Sequence, residues 1–289
     1  MTSTRHPAVT ISAEPAPPAA RPRLPTAFGR TGLYACEGVL LGAFMLSACA
    51  FGTLLEHPAS PARGAVPDDL ARRALMGLAM GLTAVLLIYS PLGRRTGAQL
   101  NPAATLCHLR LKRISRRDAA GCVVGQFVGG AAGVELAAAA IGPWLADPRV
   151  HFVVTRPGRW GVATAWAAEL AIAFALMAVV LAANRVRRLA PFSGVLAGLL
   201  VGLYITFEAP VSGMSMNPAR SFASAAAAGD WSALWVYFTA PPAGMLLAVD
   251  ASRLFVGRSR ACGKLAHGGR CAIPCGCVAR NGPGPDVAA

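Results

Sequence analysis

The sequence predicts an all-α membrane protein with six transmembrane helices and two re-entrant half-helices, arranged as an inverted repeat. Three observations support this fold class. Of the 289 residues, 55% are hydrophobic and only 14% are charged, and the apolar residues form long blocks, whereas soluble domains carry roughly 25% charged residues. Basic residues cluster between alternate blocks. The tripeptide Asn-Pro-Ala occurs twice, at matching positions.

Six apolar blocks are each near the roughly 20 residues that a helix needs to cross a bilayer. We predict transmembrane helices over 32–54, 72–92, 119–142, 163–183, 189–209 and 231–256.

These spans define a channel domain over 31–256, with halves at about 31–142 and 163–256. The preceding segment, 1–30, is rich in Pro, Ala and Arg and lacks the apolar core of a signal peptide, so we expect a disordered tail. The segment 257–289 is expected to be a basic, Cys-rich tail.

The net charge of +14 reflects membrane topology. Most Lys and Arg residues lie before the first span, between the second and third, between the fourth and fifth, and after the sixth. The positive-inside rule then places both termini in the cytoplasm of a multi-pass protein of the plasma (inner) membrane. Because no aromatic residues are interleaved with these clusters, we expect the lipid bilayer, not nucleic acid, as the partner.

The repeat is centred on two similar heptapeptides. Residues 97–103 read Gly-Ala-Gln-Leu-Asn-Pro-Ala, and residues 213–219 read Gly-Met-Ser-Met-Asn-Pro-Ala. Each lies between the second and third span of its half. Since each half has an odd number of spans, the halves enter the membrane from opposite sides, which favours functional sites near the midplane.

Asn is a favoured helix N-cap and Pro is favoured at the first helical position. The two motifs therefore predict half-helices over 102–109 and 218–228, each too short to cross. Their positive N-termini would meet at the midplane and oppose cations, including hydronium. The amides of Asn101 and Asn217 could donate hydrogen bonds to a passing water molecule.

At these residues the sequence resembles the aquaporin, or major intrinsic protein, family, in a bacterial-type form. Residues 97–106 and 212–222 are similar to its two signature loops, and the likeness covers 31–256. The resemblance implies a six-helix bundle with one pore per subunit of a homotetramer. It also implies that both motifs line the pore, namely Asn101, Pro102 and Ala103 with Asn217, Pro218 and Ala219. Further similar positions are Glu37, Gln126, Gly129, Gly130, Glu169, Pro241 and Gly244.

The resemblance also implies a four-residue selectivity filter near the outer mouth. The matching positions are Met80, Ile205, Met214 and Arg220, with Gly81 as the alternative to Met80. Strict water channels usually have an aromatic residue on the second helix and His on the fifth, so Ile205 departs from that pattern. Glycerol facilitators typically carry Asp after the arginine, whereas Ser221 follows Arg220 and favours water over glycerol.

Two glutamates occupy matching positions in the first and fourth spans. The resemblance suggests that Glu37 and Glu169 hold the re-entrant loops by accepting backbone N–H bonds. A proton relay is the alternative.

The second tail carries Cys262, His267, Cys271, Cys275 and Cys277. Cys and His at such short spacings could bind zinc. Because the spacing matches no standard zinc motif, a tail without metal remains the alternative, and we expect no cofactor.

We therefore expect a passive channel, not an enzyme, for water or another small neutral solute that excludes protons and ions. Facilitators of glycerol, ammonia or hydrogen peroxide remain alternatives. An inverted-repeat secondary transporter would need a coupling-ion site of intramembrane carboxylates, and the candidates, Glu37 and Glu169, have a structural explanation. A membrane enzyme would need a nucleophile–base pair or a metal cluster in the spans, where we find neither.

Overall fold

The computed structural model describes residues 29–186 and 188–256. The α-helices are α1 (Gly29–Glu56), α2 (Pro61–Ala65), α3 (Asp69–Tyr89), α4 (Pro91–Thr96), α5 (Pro102–Arg110), α6 (Arg116–Ile141), α7 (Gly161–Ala183), α8 (Ser193–Phe207), α9 (Ala209–Ser212), α10 (Pro218–Ala228) and α11 (Leu234–Val256).

Six of these helices, α1, α3, α6, α7, α8 and α11, are long and apolar enough to cross a membrane. The prediction of six spans is therefore confirmed. Their outward faces carry exposed apolar side chains such as Leu78, Leu86 and Val128, as expected for a surface that faces lipid. Helix α3 begins three residues before its predicted start because the Asp68 carboxylate caps it, accepting from the Ala71 N–H at 2.7 Å.

Glycines allow the long helices to pack closely in pairs. A Cβ atom added to Gly38 on α1 would lie 2.6 Å from the carbonyl oxygen of Gly125 on α6. One added to Gly81 on α3 would lie 2.7 Å from the carbonyl oxygen of Gly198 on α8. Small residues at such crossings let backbones approach in membranes. The α3–α8 crossing joins the two halves of the chain.

The two half-helices pack across the halves. Helix α5, from the first half, contacts α11 of the second, and α10, from the second half, contacts α6 of the first. Both begin at the predicted residues, Pro102 and Pro218.

Candidate functional site

Each half-helix is capped by the asparagine that precedes its proline. The Oδ1 atom of Asn101 accepts from the Ala103 N–H at 2.8 Å. The Oδ1 atom of Asn217 accepts from the N–H groups of Ala219 and Arg220 at 3.1 and 3.3 Å. These bonds satisfy donors that the first helical turn leaves unpaired, and they orient each side-chain amide.

The amide nitrogens of the two asparagines connect the motifs to each other. Asn101 Nδ2 donates to the Met216 carbonyl oxygen, and Asn217 Nδ2 donates to the Leu100 carbonyl oxygen, both at 2.7 Å. Since each amide nitrogen carries two hydrogens, each retains a second donor. Both asparagines line one cavity, so the fold brings the two motifs together.

Glu37 and Glu169 are fully buried and hold the loops that precede the half-helices. The Glu37 carboxylate accepts from the N–H groups of Gln99 and Leu100 at 3.1 and 2.8 Å. The Glu169 carboxylate accepts from the N–H groups of Ser215 and Met216 at 2.6 and 2.7 Å.

Each carboxylate also accepts a side-chain hydrogen bond, and here the two halves differ. Gln126 Nε2 donates to Glu37 at 3.0 Å, whereas the Ser212 hydroxyl donates to Glu169 at 2.8 Å. Charged acceptors with several donors form the stronger class of hydrogen bond.

These bonds hold an unusual backbone in each loop. Ala98 and Leu100 have φ of 48° and 50°, and Met214 and Met216 have φ of 49° and 53°. Such left-handed values are uncommon for residues other than glycine and persist where the surroundings enforce them.

The cavity has a volume of about 330 Å³. It follows α3 from Arg73 to Ile88, a distance of about 22 Å at 1.5 Å per residue. Its lining recurs every four residues, which places side chains on one face of a helix. On α3 the lining residues are Met76, Met80, Ala84 and Ile88, and along α8 and the start of α9 they are Ala197, Val201, Ile205 and Ala209.

All four residues of the predicted filter, Met80, Ile205, Met214 and Arg220, line this cavity. Met80 is only 1% exposed, and its sulfur accepts from the Ser47 hydroxyl at 3.9 Å. The alternative, Gly81, instead lies in the contact between α3 and α8.

Arg220 brings a cation to the cavity wall. Its Nη1 atom is buried and has no hydrogen-bond partner within the part of the chain that the structure describes. Arg73 and Arg149 line the same cavity. Glu56 also lines it, but its carboxylate accepts from Arg72 Nε at 3.1 Å, so its negative charge is already compensated.

Sequence reasoning missed several lining residues that simple spacing could have found. Met76 lies one turn before Met80, and Val201 lies one turn before Ile205. Phe44 and Leu176 also line the cavity, and each lies seven residues after the glutamate of its half.

No group of His, Cys, Asp or Glu side chains that could hold a metal occurs within 29–186 and 188–256. The candidate zinc ligands Cys262, His267, Cys271, Cys275 and Cys277 lie outside the described residues.

Comparison with known proteins places this geometry in a family. A family model described as "Major intrinsic protein" matches residues 35–250. Aquaporin NIP6-1 of Arabidopsis thaliana is 34% identical over 165 residues, which are 57% of this chain and 52% of that protein. Probable aquaporin AqpM of Archaeoglobus fulgidus is 36% identical over 149 residues, which are 51% of this chain and 60% of that protein.

A longer match, to Aquaporin NIP2-3 of Zea mays, is 31% identical over 211 residues and covers 71% of this chain and 67% of that protein. With the first of these curated relatives, the match spans about half of the relative's length. A solved structure, the X-ray structure of the aquaglyceroporin from Plasmodium falciparum, covers 80% of this chain and 97% of its own with a TM-score of 0.66. At 16% identity this likeness shows the fold alone.

The family model covers most of the chain, including both Asn-Pro-Ala motifs and both buried glutamates. This multi-pass integral membrane protein belongs to the major intrinsic protein family.

Proposed function

We propose that this protein is a passive channel that conducts water or another small neutral solute and excludes protons and other ions. One observation carries the proposal: Asn101 and Asn217 line the same cavity at the N-termini of two half-helices that come from opposite halves of the chain. Membership in the major intrinsic protein family supports the same conclusion and supports a role without enzymatic chemistry.

Proton and cation exclusion follows from charge. Each half-helix N-terminus carries roughly half a positive charge, and the Arg220 guanidinium adds a full one at the cavity wall. Cations therefore meet a barrier at two levels. A water molecule that accepts a bond from both asparagine amides has its own hydrogens turned outward on each side, which interrupts proton hopping along a file of water.

The filter assignment to Met80, Ile205, Met214 and Arg220 is part of the proposal. Three apolar side chains and one guanidinium in the wall of the same cavity favour a small solute that accepts hydrogen bonds from the guanidinium. Water fits this description, and glycerol, ammonia and hydrogen peroxide are the alternative solutes. The names of the relatives, which are aquaporins of plants and an archaeon, support the group as a whole.

We further propose a homotetramer in the inner membrane of a bacterial-type cell, with both termini in the cytoplasm. The distribution of basic residues supports this orientation. The channel domain would cover about 31–256, with cytoplasmic tails over 1–30 and 257–289. Helix α1 begins at Gly29, so the last two residues of the first tail are helical.

A stopped-flow experiment on proteoliposomes that contain the full chain tests the proposal. In an osmotic jump, these vesicles should shrink faster than empty ones, while a pH-sensitive dye inside them reports no added proton conductance. The same preparation should then be compared for glycerol, ammonia and hydrogen peroxide. Shrinkage no faster than in empty vesicles, together with no uptake of the other solutes, contradicts the proposal.

A secondary transporter is the second candidate, because inverted repeats and broken helices also build transporters. Its coupling ion would need free carboxylates, but Glu37 and Glu169 are each occupied by three hydrogen-bond donors. Solute flux that stops when ion gradients are collapsed would favour the transporter.

A further inference from the structure

Glu208 is a buried carboxylate that the channel mechanism does not use. It lies between the end of α8 and the start of α9. Both of its carboxylate oxygens are buried and lack a hydrogen bond of good geometry within the described part of the chain. The Ser212 hydroxyl lies beside them but donates its hydrogen to Glu169 at 2.8 Å. A buried carboxylate that shares its nearest donor with a second carboxylate is costly when ionised, so this side chain needs an explanation.

The corresponding junction in the first half of the chain carries a different residue. Ser90 lies between α3 and α4, as Glu208 lies between α8 and α9. The Ser90 hydroxyl accepts from the Gly93 N–H at 3.0 Å and donates to the Leu87 carbonyl oxygen at 2.8 Å. The second half replaces this satisfied serine with a longer, ionisable side chain that caps nothing.

The junction is directly connected to the filter. The neighbouring residue Ala209 lines the cavity, as does Ile205 one turn earlier. At the end of α9, the N–H of Ser212 donates to the Glu208 carbonyl oxygen at 3.4 Å. The Ser212 hydroxyl in turn accepts from the N–H of the filter residue Met214 at 3.1 Å. Glu208 therefore lies one helical turn after Ile205 and is connected through Ser212 to Met214.

No cation compensates Glu208 in this geometry. Within the described residues, the surrounding elements bring the following titratable or charged groups: Glu169 on α7, Tyr237 on α11, Arg220 on α10, Arg73 on α3, and Arg156 in the connection before α7.

None of the three arginines forms an ion pair with Glu208 within the described residues. Arg73 Nε donates to the Thr206 carbonyl oxygen at 3.3 Å, and Arg156 Nε donates to Asp230 at 2.6 Å. Glu169 is a like charge close enough to act on Glu208. Burial, the largest effect, and the neighbouring Glu169 favour the neutral form of Glu208, whereas the Ser212 hydroxyl favours the ionised form. The balance favours neutral Glu208 in this geometry.

We propose that Glu208 is a proton-operated switch of the outer constriction, open when its carboxyl group is neutral and closed when it is ionised. Ionised Glu208 repels Glu169 and draws water or the Arg73 guanidinium into the junction between α8 and α9. Because Ala209 and Met214 move with that junction, the cavity closes at the proposed filter. This inference rests on the proposed channel function and adds its regulation.

The test measures water permeability of proteoliposomes as the pH on both sides rises from about 6 to about 9, a range that covers the titration of a buried carboxyl group. The parent should lose most of its protein-dependent permeability across this range. Glu208→Gln, which is isosteric and always neutral, should keep the high permeability at every pH. Glu135→Gln, a matched change on the exposed face of α6, should respond as the parent does.

A parent permeability that does not depend on pH, or a Glu208→Gln variant that closes like the parent, overturns the switch. Thermal unfolding in detergent gives a second measurement that needs no transport. A carboxyl group that is kept neutral by the fold stabilises at low pH and loses that contribution as pH rises. The parent should therefore lose stability relative to Glu208→Gln on going to alkaline pH.

The two proposals can fail separately. If neither protein conducts any solute at any pH, the proposed function fails. The pH dependence of thermal unfolding then tests whether Glu208 titrates. A parent and a Gln variant with the same pH dependence of unfolding would then overturn the switch, and a difference of the expected sign would support a titrating Glu208.

Discussion

The side chains of Asn101 and Asn217 are joined by a reciprocal exchange. Each amide nitrogen donates, at 2.7 Å, to the carbonyl oxygen of the residue that precedes the other asparagine. Each amide oxygen caps its own half-helix. Both groups of each amide are therefore fixed by the backbone, and the geometry leaves one N–H of each for a solute in the cavity.

Asn217→Ala should reduce water permeability and raise proton conductance, because it removes one solute donor and one link between the half-helices. Loss of the helix cap alone should cost about 1 kcal/mol of stability. All three quantities can be measured on one preparation, by stopped flow, by a pH-sensitive dye inside the vesicles and by thermal unfolding. The matched control is Asn184→Ala at the end of α7, whose amide makes no hydrogen bonds within the described residues; equal effects of the two changes would contradict the assigned role.

Arg220→Val should loosen selectivity, because it removes the positively charged side chain of the proposed filter. We expect increased proton conductance and uptake of larger neutral solutes such as glycerol, measured in the same vesicles. Arg149→Val removes an exposed guanidinium from the same cavity and should leave selectivity close to that of the parent. If Arg220→Val has the same permeability as the parent for every solute and for protons, the filter assignment is ruled out.

Met80→Ala should raise the ratio of glycerol to water permeability, because it shortens a side chain of the cavity wall. The control is Met177→Ala, which shortens a buried methionine that does not line the cavity. Both changes should destabilise by roughly 2–5 kcal/mol, as truncations of buried methionine do, so only the solute ratio separates them. An unchanged ratio in Met80→Ala would remove this residue from the filter.

Glu169→Gln should destabilise the loop before α10, because it places an NH₂ group against donors that need an acceptor. A buried donor left without an acceptor costs about 1–3 kcal/mol, and lower water permeability should accompany the loss. Glu37→Gln should act in the same way on the other loop. Unfolding midpoints in detergent measure the effect, and Glu135→Gln provides the control; a proton-relay role would instead leave the unfolding midpoint unchanged.

Gly129→Ala should destabilise the bundle, because an added Cβ atom would overlap the backbone of Gly38 at the crossing of α1 and α6. Overpacking of this kind typically costs about 1–3 kcal/mol. Gly64→Ala is the matched change, since nothing lies within 4 Å of its added Cβ atom. Thermal unfolding of the two variants should therefore give a lower midpoint for Gly129→Ala only.

Local patterns were sufficient to predict the six spans and the starts of both half-helices. A helix that crosses a bilayer needs a certain length of apolar chain, and the Asn-Pro pairs at 101 and 217 specify where a helix can begin. Ends of spans were less predictable. Residues 190–192, for example, are apolar but form a 3₁₀ turn, so α8 begins at Ser193.

The lining of the cavity could be predicted only where a resemblance to known proteins supplied it. Met80 and Gly81 are adjacent in sequence, and either could have faced the cavity. Their places were settled by the crossing of α3 and α8, where a Cβ atom at position 81 would lie 2.7 Å from the Gly198 carbonyl oxygen. With Gly81 turned to α8, Met80 turns to the cavity.

The chain alone specified which segments enter the membrane, where helices start, and that the two halves are inverted copies. Only the packing of the helices determines which face of each helix borders the cavity. The physical reason is that apolar side chains fit both against lipid and in the cavity wall. Hydropathy therefore does not show how each helix is rotated about its own axis. That rotation is determined by the contacts between glycine backbones and by the hydrogen bonds of the buried glutamates. Both kinds of contact exist only in the assembled fold.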